Sequence, residues 1–208
     1  MNFKLIDLSY PIDHTIKIYP GDSPAYLIQE KYFETDEFNT FRLEIGLHTG
    51  THIDAPMHLT DNKKFINDYE LNCFCGNAVL LDVRGENLIQ FKKHYDNIVK
   101  ENSIVLFFTG HESQYETPEY FTDHPVLDMS LAEFLVTKKI KMAGMDLPSP
   151  DRPPYFIHKK LLENGIMIIE NLRNLTELIN HEFEIFAFPL NIKSDSSLVR
   201  AVAKIQIR

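Results

Sequence analysis

Short apolar runs and alternating apolar and polar positions recur along this chain, as they do in β-strands. Thr40 to Leu47 alternates apolar with polar side chains, which is typical of a strand with one buried face. Ala78 to Val83 and Ile104 to Thr109 are apolar runs rich in branched and aromatic residues, which indicate central strands. Further strands are predicted at Phe3 to Leu8, Ala25 to Phe33, Lys141 to Met145, Gly165 to Ile169, Phe183 to Phe188 and Ala201 to Ile207.

Helical patterns are fewer and lie between the strands. Ser130 and Glu133 have the spacing of a capping box, which predicts a helix from Leu131 to Lys139. A second helix is predicted from Pro154 to Asn164, with Gly165 ending it. Weaker helical segments are Asn87 to Val99 and a short turn at Asn174 to Ile179. With strands in the majority, the pattern predicts an α/β or α+β fold with a mixed sheet.

Composition narrows the function classes. A chain of 208 residues fits one domain, which we expect to span residues 1–208 because no repeat or linker divides it. The net charge of −9, without a basic run, makes nucleic acid and anionic membranes poor partners. No apolar run approaches the roughly 20 residues that span a bilayer, and residues 1–9 lack a signal peptide's apolar region. We therefore expect a cytoplasmic protein whose partner is a small molecule.

Cys73 and Cys75 are separated by a single residue. A disulfide between such close neighbours is strained, and two thiols alone do not make a metal site. We interpret them as ordinary half-buried residues.

The densest group of chemically active side chains lies between residues 48 and 58. His48, His52, Asp54 and His58 fall within eleven residues, and imidazole with carboxylate suits Zn²⁺, Mn²⁺ and related ions. The Thr-Gly-Thr between the first two histidines disfavours a helix, so we interpret the segment as a strand end, a turn and an extended stretch. In an extended chain His52 and Asp54 leave the same face, and the other two histidines keep that parity. The segment predicts a metal or catalytic site.

Other polar groups lie at predicted strand ends and in the loops that follow. The loop from Asp146 to Asp151 follows an apolar strand, a position where α/β proteins often carry chemistry. His158 lies on the helix that follows, and Glu170 ends another apolar strand, where a carboxylate is costly to bury unless it is paired or metal-bound. Each taken alone also fits a structural or solvated role, and the residues by themselves do not bring either next to Asp54.

The segment His48-Thr-Gly-Thr-His52-Ile-Asp54-Ala-Pro-Met-His58 resembles the H-x-G-T-H-x-D-x-P-x-H signature of the cyclase-like metal-dependent hydrolases, a family that includes bacterial kynurenine formamidases and isatin hydrolases. Weaker matches follow in the family's order at Asp7–Ile12, Tyr19–Pro24, Phe108–Gly110, Gly144–Ser149, Ile169–Leu172 and Leu198–Ala201. The resemblance implies a mixed α/β domain with a barrel-like central sheet flanked by a few helices, assembled as a homodimer or homotetramer.

The resemblance also assigns roles to individual residues. His48, His52 and Asp54 would hold a first divalent metal, and Asp54 would bridge to a second one. The further ligands of the second metal would be His158 and Glu170. The expected ion is Zn²⁺, with Mn²⁺ as the alternative. His58 would be the general acid and base, although its residue type also allows it to be a ligand.

The activity that the resemblance implies is hydrolysis of a small aryl formamide, similar to N-formylkynurenine, or of a cyclic amide by a metal-activated water. Asp146, His111 and Arg200 are candidates for substrate binding. His111 stands where the family commonly has Trp, and the chain contains no tryptophan, so aromatic walls must come from Phe or Tyr. The alternatives are a lactonase, dehydratase or cyclase using the same site, and a metal-dependent binding protein without turnover.

Overall fold

The computed structural model describes residues 2–206, which form a mixed sheet with the two longest helices packed on one face. The strands in chain order are β1 (Phe3–Asp7), β2 (Tyr26–Lys31), β3 (Thr40–Glu44), β4 (His52–Asp54), β5 (Cys75–Asp82), β6 (Leu88–Ile89), β7 (Ile104–Phe108), β8 (Val126–Leu127), β9 (Met142–Met145), β10 (Met167–Glu170), β11 (Phe183–Phe186), β12 (Ser196–Leu198) and β13 (Val202–Gln206). The helices are α1 (Phe33–Asp36), α2 (Tyr95–Ile98), α3 (Glu119–Thr122), α4 (Met129–Thr137) and α5 (Phe156–Glu163).

The main sheet of this described range has nine strands in the order β1-β13-β11-β5-β7-β9-β10-β4-β12. Its centre is parallel, from β5 through β7 and β9 to β10, and the flanking pairs are antiparallel. The sheet curls into a half-barrel. The predicted single-domain α/β fold with a mixed, barrel-like sheet is therefore confirmed.

Two apolar cores lie on opposite faces of this sheet, as the two-residue period of a strand requires. Along β7, Leu106 packs into the core enclosed by the curled sheet, together with Ile6 and Ile169. Its neighbour Phe107 packs into the other core, beneath Leu131 and Leu161 of α4 and α5. Both faces of the central strands are thus buried, which explains their nearly continuous apolar sequences.

Gly144 shows how tightly the central strands pack. It lies in β9, and a Cβ atom there would come within 2.5 Å of Leu106 Cδ2 and 3.0 Å of Leu172 Cδ1. Any larger residue would therefore collide with the core on this face.

Most predicted strands are confirmed within one to three residues at each end, and Ile207 of the last one lies outside the described range. The predicted helix at Asn87 to Val99 was wrong for most of its length, because Leu88–Ile89 pairs with β8 and only Tyr95–Ile98 is helical. The predicted capping box at Ser130 was also wrong. Asp128 is the N-cap of α4, and its carboxylate accepts a hydrogen bond from the Ser130 amide at 2.7 Å.

The remaining helical predictions differ in detail. The helix predicted from Pro154 is α5, which begins at Phe156, and Gly165 with its φ of +75° follows its end. Short 3₁₀ turns lie at Pro56–His58, Ile66–Asp68, Leu71–Phe74, His111–Gln114 and Leu175–Leu178. Cys73 and Cys75 are half-buried free thiols, as expected. Among residues 2–206, none of the helices is long and apolar enough to cross a membrane.

The hairpin of β2 and β3 stands apart from the main sheet as its own two-stranded sheet. Every residue of β3 is exposed, including Phe41 and Leu43. The expectation that Thr40 to Leu47 is a half-buried strand was wrong, because the apolar face of the hairpin does not reach either core within the described residues.

Candidate metal centre and cavity

Strand β4 is the centre of the site. It lies between β10 and β12, and its residue His52 is paired in register with Glu170 of β10. Because His52 and Asp54 are two residues apart in a strand, their side chains share one face. His52 Nε2 lies 3.4 Å from Asp54 Oδ1 and 3.4 Å from Glu170 Oε2. All three side chains are buried.

The turn before β4 brings His48 to the same point. Gly50 in this turn has a φ of +66°, and a Cβ atom there would lie 2.8 Å from Ile16 Cδ1. The turn therefore favours glycine for its left-handed conformation. It places His48 Nδ1 2.8 Å from Asp54 Oδ1, in a contact without hydrogen-bond geometry.

Helix α5 supplies the third imidazole. His158 Nε2 lies 3.1 Å from Glu170 Oε1 and 3.8 Å from Asp54 Oδ2. On the other side of the ring, Nδ1 lies 2.6 Å from Asp151 Oδ1, and the second oxygen of Asp151 accepts a hydrogen bond from the Ile157 amide. Asp151 thus fixes both the ring of His158 and the start of α5.

The tautomer of His52 matches that of a metal ligand. Its Nδ1 lies 2.8 Å from the Gly50 carbonyl oxygen, which can only accept, so Nδ1 donates. In the neutral ring the lone pair is then on Nε2, which faces the carboxylates of Asp54 and Glu170. A hydrogen bond of this kind on the distal nitrogen is typical of metal-bound histidine.

Two atoms at the centre of the cluster have no hydrogen-bond partner within the described residues, namely His52 Nε2 and Asp54 Oδ1. Buried polar atoms are rarely left unpaired, because desolvation without a partner is costly. Imidazole nitrogen and carboxylate oxygen are both ligands for Zn²⁺ and Mn²⁺. The residues present therefore fit a divalent cation.

Among residues 2–206, potential ligand atoms form two groups that share Asp54, each with its atoms within 4.8 Å of one another. One group is His48, Asp54 and His58, and the other is His52, Asp54 and Glu170. The sequence divided the ligands differently, with His48 and His52 on one metal and His158 on the second. The structure brings all of these residues together around Asp54.

Carboxylates and imidazoles of the cluster shift one another's pKa values. Burial alone lowers the pKa of His48, but the carboxylates of Asp195 and Asp54 raise it to about 10. Burial likewise lowers the pKa of His158, and Asp151 and Glu170 raise it to about 10. Burial raises the pKa of Asp54, but the neighbouring imidazoles hold it well below its usual range. The raised pKa values favour protonated imidazoles while no cation is bound, and a cation that binds there would displace those protons.

His58 lies on the 3₁₀ turn after β4, beside a carboxylate that the sequence analysis missed. Its Nδ1 lies 3.0 Å from Asp195 Oδ2, and the same oxygen lies 3.1 Å from His48 Nε2. Hydrogen bonding to His48 and His58 holds the pKa of Asp195 below its usual range, against the opposing effect of burial. No local pattern marks Asp195, which comes to the site because β12 pairs with β4.

A cavity of about 270 Å³ opens beside the cluster. His48, Asp54, His58, His158 and Glu170 contribute to its lining. Aromatic walls come from Tyr19, Phe121 and Tyr155, and the rings of Tyr19 and Phe121 meet edge to face with centroids 5.5 Å apart. Phenylalanine and tyrosine thus supply the aromatic surface, as expected for a chain without tryptophan.

The three candidate substrate-binding residues lie elsewhere, outside the lining of this cavity in the described structure. The Asp146 carboxylate accepts hydrogen bonds from the amides of Thr109 and Gly110 and is fully buried. His111 lies against the Tyr120 ring, with Nε2 2.9 Å from the Tyr120 carbonyl. Arg200 is largely exposed and pairs with Asp7 at 2.9 Å.

Known proteins resemble this chain in sequence over most of its length. The sequence profile of the putative cyclase family matches residues 6–152. A kynurenine formamidase of Bacillus thuringiensis subsp. konkukian is 32% identical over 208 residues, spanning 96% of both chains. A kynurenine formamidase of Bacillus mycoides is 32% identical over 206 residues, also spanning 96% of both chains.

Solved structures share the fold over nearly the whole chain. Isatin hydrolase A from Ralstonia solanacearum superposes with a TM-score of 0.87 at 18% identity, covering 98% of this chain and 92% of that one. A predicted metal-dependent hydrolase from Bacillus stearothermophilus gives a TM-score of 0.82 at 23% identity, covering 98% and 99%. These likenesses concern the fold alone. Together with the profile match and the relatives above 30% identity, they confirm the expected resemblance: the chain belongs to the putative cyclase family.

Proposed function

We propose that this protein is a metal-dependent hydrolase that cleaves the amide C–N bond of a small aryl formamide or cyclic amide. The observation that carries the proposal is the buried cluster around Asp54, which contains unpaired ligand atoms and borders an aromatic-walled cavity. The kynurenine formamidase relatives and the isatin hydrolase structures support the same type of bond.

The five residues that would hold the cations are His48, His52, Asp54, His158 and Glu170. We propose two ions per chain that share Asp54, with Zn²⁺ favoured over Mn²⁺. The chemistry that a divalent ion would supply there is Lewis acidity, which would polarise a substrate carbonyl and lower the pKa of a water molecule. The Gly50 carbonyl and the Asp151 carboxylate contact Nδ1 of His52 and of His158, respectively. These contacts orient both rings so that Nε2 faces the proposed ion.

His58 is the proposed general acid and base. Asp195 Oδ2 accepts the proton of Nδ1, which leaves Nε2 as the atom that exchanges protons with the substrate. Nε2 would take a proton from the attacking water and deliver it to the departing nitrogen. Amide nitrogen is a poor leaving group without that proton, so His58 has a function that a purely binding protein does not need.

The cavity suits a substrate with one aryl ring. Its volume of about 270 Å³ is at the small end for ligand sites. Tyr19, Phe121 and Tyr155 offer faces and edges on which an aryl ring can stack. Such stacking would hold the reacting carbonyl beside Asp54 and His58.

The test is an assay of N-formylkynurenine, isatin and a simple lactone, with the protein loaded with Zn²⁺, loaded with Mn²⁺ or stripped by a chelator. We expect amide hydrolysis only with metal. Hydrolysis by the stripped protein at the loaded rate would refute the proposal. Turnover of the lactone alone would favour the lactonase alternative, and metal binding without any turnover would favour a binding protein.

A further inference from the structure

Asn171 directly follows Glu170, the last residue of β10. Its φ of +55° lies in the left-handed region, which asparagine adopts more readily than most other residues. The side chain is buried, and it contributes to the lining of the cavity beside the proposed metal ligands. A sparsely populated backbone conformation of this kind persists only where the surrounding contacts hold it in place.

Both ends of the Asn171 side-chain amide are hydrogen-bonded. Nδ2 donates to the Gly50 carbonyl oxygen at 2.9 Å, and Oδ1 accepts from the Tyr120 hydroxyl at 2.8 Å. A carbonyl oxygen can only accept, so the amide nitrogen must face Gly50 and the amide oxygen must face Tyr120. The amide group therefore has a single orientation, and the Tyr120 hydroxyl proton points towards it.

The Gly50 carbonyl oxygen is shared between Asn171 and the proposed metal ligand His52. It lies 2.8 Å from His52 Nδ1, which donates to it. Gly50 precedes β4 and lies outside the registered pairs of that strand, which begin at His52. An acceptor can orient an imidazole ring only if the acceptor is itself held. Asn171 Nδ2 is the second donor that holds this carbonyl group.

The backbone of Asn171 is bonded independently of its side chain. Its carbonyl oxygen accepts from the Thr51 hydroxyl at 2.6 Å, and that hydroxyl accepts from the Tyr10 amide at 3.0 Å. The Asn171 amide donates to the Leu147 carbonyl at 2.8 Å. All four polar atoms of Asn171 thus have partners, as expected of a rigid buried network. Removing the side chain would leave the two backbone contacts in place.

Tyr120 anchors the far end of this network. Its side chain is fully buried. Its ring stacks on His111 with centroids 5.1 Å apart and meets Tyr115 edge to face at the same distance. Because the ring is packed on both neighbours, its hydroxyl holds Asn171 Oδ1 at a fixed point.

We propose that Asn171 is a positioning residue of the metal centre. Its amide group, held by Tyr120, fixes the Gly50 carbonyl, and this carbonyl orients His52 with Nε2 towards the neighbouring carboxylates. The inference rests on the proposed metal-dependent function, because it assigns His52 to a bound ion. It requires no contact of Asn171 with the ion or with the substrate.

The test is the zinc affinity of the full chain, measured by competition with a chromogenic chelator. Asn171→Gly removes the side chain and keeps the left-handed conformation without strain. We expect it to weaken zinc binding by about 10- to 100-fold, which is typical when a contact that orients a metal-bound histidine is lost.

The matched control is Asn174→Gly. Asn174 also has a positive φ of +60°, and its Nδ2 also donates to a backbone carbonyl, that of Asp7, at 2.8 Å. In the described structure it lies outside the lining of the cavity. The same substitution there should change zinc affinity by less than about threefold.

A spectroscopic readout separates orientation of the ring from a general loss of structure. In zinc-loaded protein with nitrogen-labelled histidine, the Nδ1 proton of His52 should give a magnetic-resonance signal, because its bond to Gly50 slows exchange with water. Asn171→Gly should lose this signal, whereas Asn174→Gly should retain it.

The remaining outcomes distinguish this inference from the proposed function. Wild-type protein that binds no zinc would overturn the metal centre and the role of Asn171 with it. Unchanged zinc affinity in a folded Asn171→Gly variant, or equal losses in both glycine variants, would overturn the role of Asn171 alone.

If Asn171→Gly is unfolded by circular dichroism, Tyr120→Phe decides. This variant deletes only the hydroxyl that holds Asn171 Oδ1, and it keeps the packed ring. It must weaken zinc binding about threefold or more, the equivalent of one hydrogen bond. Unchanged zinc affinity in Tyr120→Phe would then overturn the proposal.

Discussion

Asp195 Oδ2 lies 3.0 Å from His58 Nδ1. This contact links the residue directly before β12 to the proposed proton-transfer group. A carboxylate on Nδ1 orients an imidazole and fixes its proton on the far side from the reacting atom, as in other histidine-based catalysts. Because the same oxygen also contacts His48 Nε2, one side chain organises both a proposed ligand and the proposed base.

Replacing Asp195 tests this relationship. We expect Asp195→Ala to lower kcat by about tenfold or more at saturating metal, because His58 loses its orientation. Asp195→Asn should recover part of the rate, since its amide oxygen still accepts from Nδ1. Steady-state kinetics at several metal concentrations separates this loss from weaker metal binding through His48. Asp61→Ala, at an exposed position, is the control, and an unchanged kcat in Asp195→Ala would contradict the assignment.

His52 and His58 should respond differently to removal. We expect His52→Ala to lose bound metal, because its Nε2 lies at the centre of the cluster. His58→Ala should keep its metal and lose about a hundredfold or more in kcat. Metal per chain is measured by elemental analysis beside the rate, with the exposed His94→Ala as control. Loss of metal in His58→Ala would make His58 a ligand instead.

Asp151 should matter although it lies outside the cavity. Without its carboxylate, His158 loses the partner of Nδ1 and the Ile157 amide loses its acceptor. We expect Asp151→Ala to weaken metal binding by about 10- to 100-fold and to lower the unfolding free energy by about 1 kcal/mol or more. Competition with a chelator and urea unfolding measure the two effects. Wild-type affinity in a folded Asp151→Ala variant would show that His158 is not a ligand.

The metal-free protein should become less stable as pH rises. The pKa values of His48 and His158 are raised from 6.5 to about 10 in the folded state. Proton binding therefore stabilises the metal-free fold fully below pH 6.5, and this stabilisation is lost as pH rises towards 10. Urea unfolding at both ends of this range measures it. Metal-loaded protein should show a smaller decline, because the ion replaces those protons; equal declines would argue against protonated imidazoles.

Gly144 tests the packing of the central strands. We expect Gly144→Ala to lower the unfolding free energy by about 1–3 kcal/mol, because its Cβ atom would overlap Leu106 Cδ2. Gly46→Ala is the comparison, since its nearest contact is Thr49 Oγ1 at 3.3 Å. Chemical denaturation of both variants gives the difference, and equal stabilities would mean that β9 shifts to accommodate the methyl group.

Local patterns predicted much of the fold and the part of the site whose residues are close in sequence. The central strands follow from apolar runs, and the grouping of His48, His52 and Asp54 follows from side-chain parity along an extended chain. Asp195 could not be found in this way, and for Asp151 the sequence indicated only the loop that contains it, not its contact with His158. Each acts through contacts that exist only after β12 pairs with β4, or after α5 packs beside β10. Strands of three residues such as β4 are also too short to show a period.

The alternation at Phe41 and Leu43 predicted burial that the structure does not show. The pattern indicated a buried face, and the described residues leave that face exposed. Alternation along a strand predicts which side chains share a face, but it does not show what covers that face.

The position of β4 between β10 and β12 has a consequence for biosynthesis. One neighbour of β4 is Met167–Glu170, and the other is Ser196–Leu198. On a growing polypeptide, His52 and Asp54 emerge early, but both flanking strands are translated much later. Contacts between residues so distant in sequence form slowly. The nascent chain therefore cannot complete the proposed centre until residues 167–198 have been translated and have paired with β4.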